Sequence, residues 1–196
     1  MKTLLIGAHP NFSSFNAALR DAFADRLLAA GHEVKQTDLY EKSFQPVISY
    51  EELIGSFQGC EPPADVAKEH DDIRWADFII FIYPTWWMGM PAIMKGYIDR
   101  VLSNNYAYRY GDSGRPVGLL TGKKALIVQT AGGSEYYLMN SGLEQAMKLI
   151  TKEGIFGFCG IDVVEHLFLY QVNKVDDIAR MMMLEQTAEL ISEHVR

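Results

Sequence analysis

The stretch Phe78 to Val101, FIIFIYPTWWMGMPAIMKGYIDRV, constrains the fold of this chain more than any other. Phe78 to Tyr83 is an unbroken apolar and aromatic run of strand length, which suits a strand buried on both faces of a parallel sheet. Pro84 ends it. Pro91 can open a helix at its first position, and Ile93, Met94, Tyr97, Ile98 and Val101 recur at helical spacing along one face. Between strand and helix lies Thr85-Trp86-Trp87-Met88-Gly89-Met90, a loop with adjacent tryptophans. Two indoles in a surface loop either line a planar ligand at the carboxyl end of a central strand, or pack under a neighbouring loop or across a dimer interface.

Similar strand-loop-helix units precede and follow it. Thr3 to Ala8 reads as a buried strand, followed by the polar loop His9 to Ser14 and by Phe15, Ala18, Leu19, Ala22, Phe23 and Leu27 at helical spacing up to Gly31. Ser13-Ser14 and Asn16 put hydroxyl and amide groups at that helix N-terminus, a suitable phosphate cradle. The loop is neither a Walker A loop nor the G-x-G-x-x-G fingerprint, which removes the main support for a P-loop NTPase or a Rossmann dehydrogenase. Lys124 to Gln129 is a further strand, and Thr130-Ala131-Gly132-Gly133-Ser134 after it lets a ligand approach main-chain N–H groups.

The other elements are plainer. His32 to Asp38 reads as a short edge strand, and Tyr40 to Pro63 lacks periodicity except for a helical turn within Glu51 to Phe57. Ala64 to Trp75 is helical, with His70 expected as a solvated or capping residue. Tyr106, Tyr108 and Tyr110 alternate, which would put three rings on one side of an extended segment, and Asp112 to Gly122 is expected as loop. Leu143, Met147 and Ile150 mark a helix that Gly154 ends, Ile161 to Tyr170 a last strand, and Asp176 to Val195 a closing helix whose Met181 to Met183 would fill core and interface. His166 and His194 have bland structural explanations.

Five strands alternating with helices predict an α/β, flavodoxin-like, doubly wound parallel sheet in three layers, as one domain over residues 1–196. In that order the loops after strands one, three and four meet at one end of the sheet, with Ser13 and Ser14 on a phosphate and the other two loops flanking a flat ring. A flavin is the inference. The net charge of −7 offers no basic footprint for nucleic acid or an anionic membrane. No segment suits direct membrane insertion, and Cys60 and Cys159 lack metal-ligand spacing and form no disulfide framework, so no metal is expected and a reducing cytoplasm is the expected compartment.

The stretches YPTWWMGMPAIMKGYIDRVL, GAHPNFSSFNAAL, NYAYRY and TAGGS together resemble the flavodoxin-like NAD(P)H:quinone oxidoreductases, among them bacterial drug-modulator and potassium-efflux ancillary proteins. The resemblance implies a homodimer, with NAD(P)H as co-substrate and a two-electron, ping-pong transfer to a quinone or similar flat electrophile. It places His9, Ser14, Phe15 and Asn16 at phosphate and pyrophosphate contacts, and Pro84, Thr85, Trp86, Trp87 and Met88 along the isoalloxazine. Thr130, Ala131, Gly132 and Gly133 match the loop at the flavin edge, where Gly133 and Tyr137 are the catalytic candidates. Trp87, Met88, Tyr108 and Tyr110 match the substrate pocket, the two tyrosines reaching it from the other subunit. Downstream of Tyr137, Leu138 to Gly142 lacks the histidine that the animal enzymes use. The S-S-F-N element and the long Tyr40 to Pro63 segment favour FAD, with FMN as the alternative. The efflux relatives add a second functional reading, a flavin-binding regulatory subunit of a membrane ion-efflux transporter.

Overall fold

The computed structural model describes residues 1–195. Its central sheet has the order β2-β1-β3-β6-β7, with every pair parallel. The strands are β1 (Lys2–Gly7), β2 (Glu33–Asp38), β3 (Phe78–Pro84), β6 (Lys124–Thr130) and β7 (Asp162–Leu169). The central position of β3 follows from its sequence, because all its residues are buried and both faces are apolar. Ile79, Phe81 and Tyr83 face one core and Phe78, Ile80 and Ile82 the other.

Helices cover both faces. On one side, α1 (Phe15–Ala29) brings Leu19, Phe23 and Leu27 together with Ala188 and Ile191 of α7 (Asp177–His194). On the other, α3 (Ala64–Trp75) and α4 (Ala92–Val101) bring Val66, Ile73, Met94, Tyr97 and Val101. The expected five-stranded, doubly wound parallel sheet is therefore the observed one. Gly96 is required in α4 because a Cβ there would lie 2.2 Å from the Pro46 carbonyl oxygen, so the segment after β2 runs hard against the helix backbone.

Several local expectations are corrected. The helical turn within Glu51 to Phe57 is a full helix, α2 (Tyr50–Gln58), capped by Ser49 and closed by Gly59 in the left-handed region. It buries no residue; the buried Arg100 of α4 holds it instead, donating to both carboxylate oxygens of Glu52 at 3.0 Å and to Asp65. His70 is not solvated. It is buried in α3, its Nε2 2.9 Å from the Val101 carbonyl and its ring stacked on Tyr106 at 3.4 Å, and burial pushes its pKa down.

That stack also breaks the expected row of tyrosines, since only Tyr108 to Tyr110 is extended, as β4. The segment expected as loop contains β5 (Pro116–Gly118), which pairs antiparallel with β4. Gly154 does not end a helix: α5 (Glu135–Asn140) and α6 (Leu143–Leu149) run into a π-helical stretch, Ile150–Phe156, in which Thr151 and Phe156 are buried. Met181 and Met182 are exposed and fill no core of this chain. Among the described residues no helix is long and apolar enough to cross a membrane.

Candidate functional site

Parallel pairing puts the carboxyl ends of β1, β3 and β6 side by side, so the segments leaving them meet on one rim. They line a cleft of about 700 Å³, a volume in the range of small-molecule sites. Two hydrogen bonds lock the rim. The Asn16 amide donates to Thr130 Oγ1 at 3.0 Å, joining the first segment to the third, and the Thr85 N–H donates to the Thr130 carbonyl at 2.7 Å, joining the second to the third.

The first segment supplies donors. Ser14 caps α1, its Oγ accepting from the Ala17 N–H at 3.2 Å. That leaves the N–H groups of Phe15 and Asn16, both cleft-lining residues, without an acceptor among the described residues. A 15-residue helix adds its positive end to these donors, a favourable setting for phosphate. His9 lines the same cleft, its ring fixed by Asn11 and 6.5 Å from that of Trp86.

The third segment supplies two more. The Ala131 N–H is engaged by the Leu169 carbonyl at 2.8 Å, whereas those of Gly132 and Gly133 have no acceptor among the described residues. A Cβ at Gly132 would lie 3.3 Å from Asn173 Oδ1, so a larger residue there would need that side chain to give by a few tenths of an ångström. Pro84, Thr85 and Trp86 line the cleft with Thr130, Ala131 and Gly132.

Other sequence-predicted residues stand elsewhere. Trp86 and Gly89 exchange main-chain hydrogen bonds at 3.0 and 3.1 Å, closing a two-residue turn in which Trp87 and Met88 take φ values of 50° and 57°. Left-handed backbone at two bulky L-residues costs roughly 1–2 kcal/mol each. Its effect is to turn both side chains away from the body of the chain, with Trp87 102% exposed. Tyr137 on α5 is exposed and does not line the cleft, nor does Gly133. Tyr108 and Tyr110, edge to face at 6.0 Å, sit on the β4-β5 ribbon, also outside it.

The structure adds wall residues that the sequence did not single out: Val172 and Asn173 after β7, and Asp177 and Arg180 in the first turn of α7. Arg180 donates to the carbonyls of Val172 at 3.2 Å and Val175 at 2.8 Å, which holds a cation at the edge of the cleft nearest the α1 N-terminus. From there a second groove of about 350 Å³ runs between α1 and α7, past Ser14, Phe15 and Arg180 to Ala18, Met181 and Leu184. Asp176 caps α7 and could have drawn attention to that turn.

These features agree with what the chain is similar to. The sequence profile of the family described as having a flavodoxin-like fold matches residues 1–194. A protein of Haemophilus influenzae described as an uncharacterized NAD(P)H oxidoreductase is 39% identical over 190 residues, covering 96% of this chain and 93% of that one. NAD(P)H dehydrogenase [quinone] 1 of Rattus norvegicus is 32% identical over 203 residues, covering 94% and 74%. Among solved structures, the NAD(P)H:quinone oxidoreductase from Methanothermobacter marburgensis superposes with a TM-score of 0.86 at 32% identity, covering 96% and 94% of the two chains. On the match across nearly its whole length and on these relatives, the chain belongs to the flavodoxin-like family that includes the NAD(P)H:quinone oxidoreductases.

Proposed function

We propose that this protein is a flavin-dependent NAD(P)H:quinone oxidoreductase, with FAD as its resident cofactor. The carrying observation is the meeting, in one cleft, of unengaged main-chain donors from two turns: Phe15 and Asn16 at a helix N-terminus and Gly132 on the opposite turn, with the equally unengaged Gly133 N–H next to it just outside the lining. The first set suits a phosphorylated tail and the second the electronegative edge of a ring. The residues present therefore fit a flavin, which when bound supplies two-electron chemistry between a nicotinamide and a quinone.

The chain's own part is to bind, orient and stabilise charge. Thr85, Trp86, Thr130 and Ala131 shape the slot beside the donors. The Gly132 and Gly133 N–H groups support negative charge at the ring edge without reorganising, because the glycine turn is fixed by the hydrogen bonds of Ala131 and Gln171 to either side. FAD rather than FMN is supported by the continuation of the cleft, past Arg180 and the Asp177 carboxylate that it pairs with, into the groove lined by Ala18, Met181 and Leu184, which offers apolar surface for a second nucleotide half.

A second copy of the chain completes the pocket in this reading. Trp87, Met88, Tyr110 and Tyr137 all present exposed apolar surface at strained or protruding positions, and flat substrates need such surface on both faces. The two free thiols, Cys60 exposed and Cys159 buried with its pKa pushed up by burial to about 11, suit work in a reducing cytoplasm. No observation favours the transporter-regulator reading.

Mass spectrometry of the cofactor released from purified protein, combined with steady-state NAD(P)H oxidation by a simple quinone, tests the proposal. The expected results are the mass of FAD and parallel double-reciprocal lines as quinone is varied. Absence of any flavin mass after loading with either nucleotide form, or no quinone-dependent turnover, would overturn it.

A further inference from the structure

Behind the cleft, the buried side chains of His166 and Gln129, which the function above does not use, form a polar chain that ends on the half-buried Thr85. His166 of β7 is 5% exposed, and its Nε2 lies 2.9 Å from Gln129 Oε1. The Gln129 amide nitrogen on β6 lies 2.9 Å from Thr85 Oγ1 and 3.3 Å from Met147 Sδ. Thr85 lines the cleft. A one-residue register shift makes this possible: Val163 pairs with Ala125 but Glu165 with Leu126, so the parity of β7 changes. An unbroken ladder would have turned Glu165 and Leu167 to the face of Gln129; the shift turns His166 and Phe168 there instead. The imidazole is then braced by Phe168, stacked on it at 4.8 Å and 16°.

The hydrogen-bond polarity of the chain is determined by what each group can offer. A glutamine amide has two N–H donors and one oxygen. With the oxygen on His166, both donors are used, one on Thr85 Oγ1 and one on Met147 Sδ, and the imidazole carries its proton on Nε2. Reversing the amide would aim its oxygen at the thioether and move the imidazole proton to Nδ1, a buried atom with no partner. An unpaired buried donor costs roughly 1–3 kcal/mol. Nδ1 is unpaired in both arrangements, but only the first uses every hydrogen of the amide. Thr85 Oγ1, accepting from Gln129, keeps its single proton for a group inside the cleft.

We propose that His166 is a positioning residue which, through Gln129, fixes the Thr85 hydroxyl as a hydrogen-bond donor toward an acceptor atom of the bound ring. This rests on the reading of the cleft as a flavin site. A donor at that place favours the electron-rich form of the ring, so it raises the midpoint potential of the bound cofactor.

The test measures FAD midpoint potentials in wild type, Thr85→Val, His166→Phe, the double variant and His166→Gln, with ¹⁵N NMR of the His166 tautomer in cofactor-free protein. Thr85→Val and His166→Phe are each expected to lower the ratio of affinities for reduced over oxidised FAD about tenfold, a fall of about 30 mV for a two-electron couple. The double variant is expected to fall no further than either single one, and His166→Gln, which keeps an N–H donor, to recover part of the loss. The imidazole is expected as the Nε2–H tautomer. Additive shifts, no shift in His166→Phe, or an Nδ1–H tautomer would overturn the proposal. Wild-type protein that fails to take up FAD would overturn the cofactor reading and this proposal with it, whereas normal uptake with unmoved potentials overturns this proposal alone.

Discussion

Two residues, His166 and Trp87, show how position in the fold overrides residue type. Burial pushes the His166 imidazole pKa down to about 4, with Lys148 adding to the fall and Glu144 opposing it. An unfolded histidine takes a proton near pH 6.5. Between those values the unfolded state binds more protons, so this residue's stabilisation is full above about pH 6.5 and is lost as pH falls toward 4. The loss amounts to about 3 kcal/mol if His166 acts alone. Urea midpoints at pH 7 and pH 4.5 check this, with a smaller drop expected in His166→Phe than in wild type and equal drops contradicting it. At Trp87 the strained φ of 50° serves no packing within the chain, since the side chain is free of it. Trp87→Gly is expected to leave stability unchanged or raise it by up to about 1 kcal/mol while lowering quinone turnover and self-association. A destabilised Trp87→Gly protein with normal turnover would argue that the turn serves the fold instead. The sequence showed a double tryptophan at the rim but gave no sign that Trp87 turns outward, because the left-handed backbone there is built from ordinary L-residues rather than the glycine or asparagine that usually mark it.

At the scale of elements, the central strands were legible because burial on both faces writes a continuous apolar run, as in Phe78 to Tyr83 and Ala125 to Val128. That three turns share a rim followed from strand order, which named Ser14, Trp86, Thr130 and Gly132, while His9 and Thr85 came from the family resemblance; all of these, with Asn16, line one cleft. Arg180 and Asn173 were not named, because what brings them in is the path of the chain after β7, fixed by carbonyl contacts that leave no periodic trace. The parity change in β7 was equally invisible, since Val163-Val164-Glu165-His166 reads as an ordinary strand in either register. α2 was underestimated because it buries nothing and is held by polar contacts, chiefly the Arg100–Glu52 pair and the hydrogen bond from the Asn105 amide to the Ser56 carbonyl. Arg100→Met would leave the Glu52 and Asp65 carboxylates without that partner, and Asp65, whose pKa the Arg100 hydrogen bond holds below the usual carboxylate range against the opposing effect of burial, would lose that support. Removing one partner of a buried ion pair costs on the order of 3–5 kcal/mol, and the half-exposed Asp65 arm places this variant at or below the low end. The expected signature is local, a loss of amide-exchange protection in Tyr50–Gln58 beyond that in β3. Uniform loss across both elements would contradict it.

For the molecule as a whole, the sheet order and the cleft form one device: parallel pairing brings three turns distant in sequence to one rim, where the Asn16–Thr130 and Thr85–Thr130 hydrogen bonds lock them together. The acidic net charge of −7 is compatible with the proposed site because the groups that would hold an anion there are main-chain donors and a helix end rather than a basic surface. In the proposed homodimer, the exposed Trp87, Met88 and Tyr110 are among the apolar groups that a second copy would cover. The most direct measurement is equilibrium titration of cofactor-free protein with FAD, followed by quenching of flavin fluorescence. Saturation at one FAD per chain, weakened by about tenfold in Asn16→Leu through loss of the rim lock, is the expected result. Fluorescence that stays at the value of free FAD across the titration would contradict the assignment of the rim.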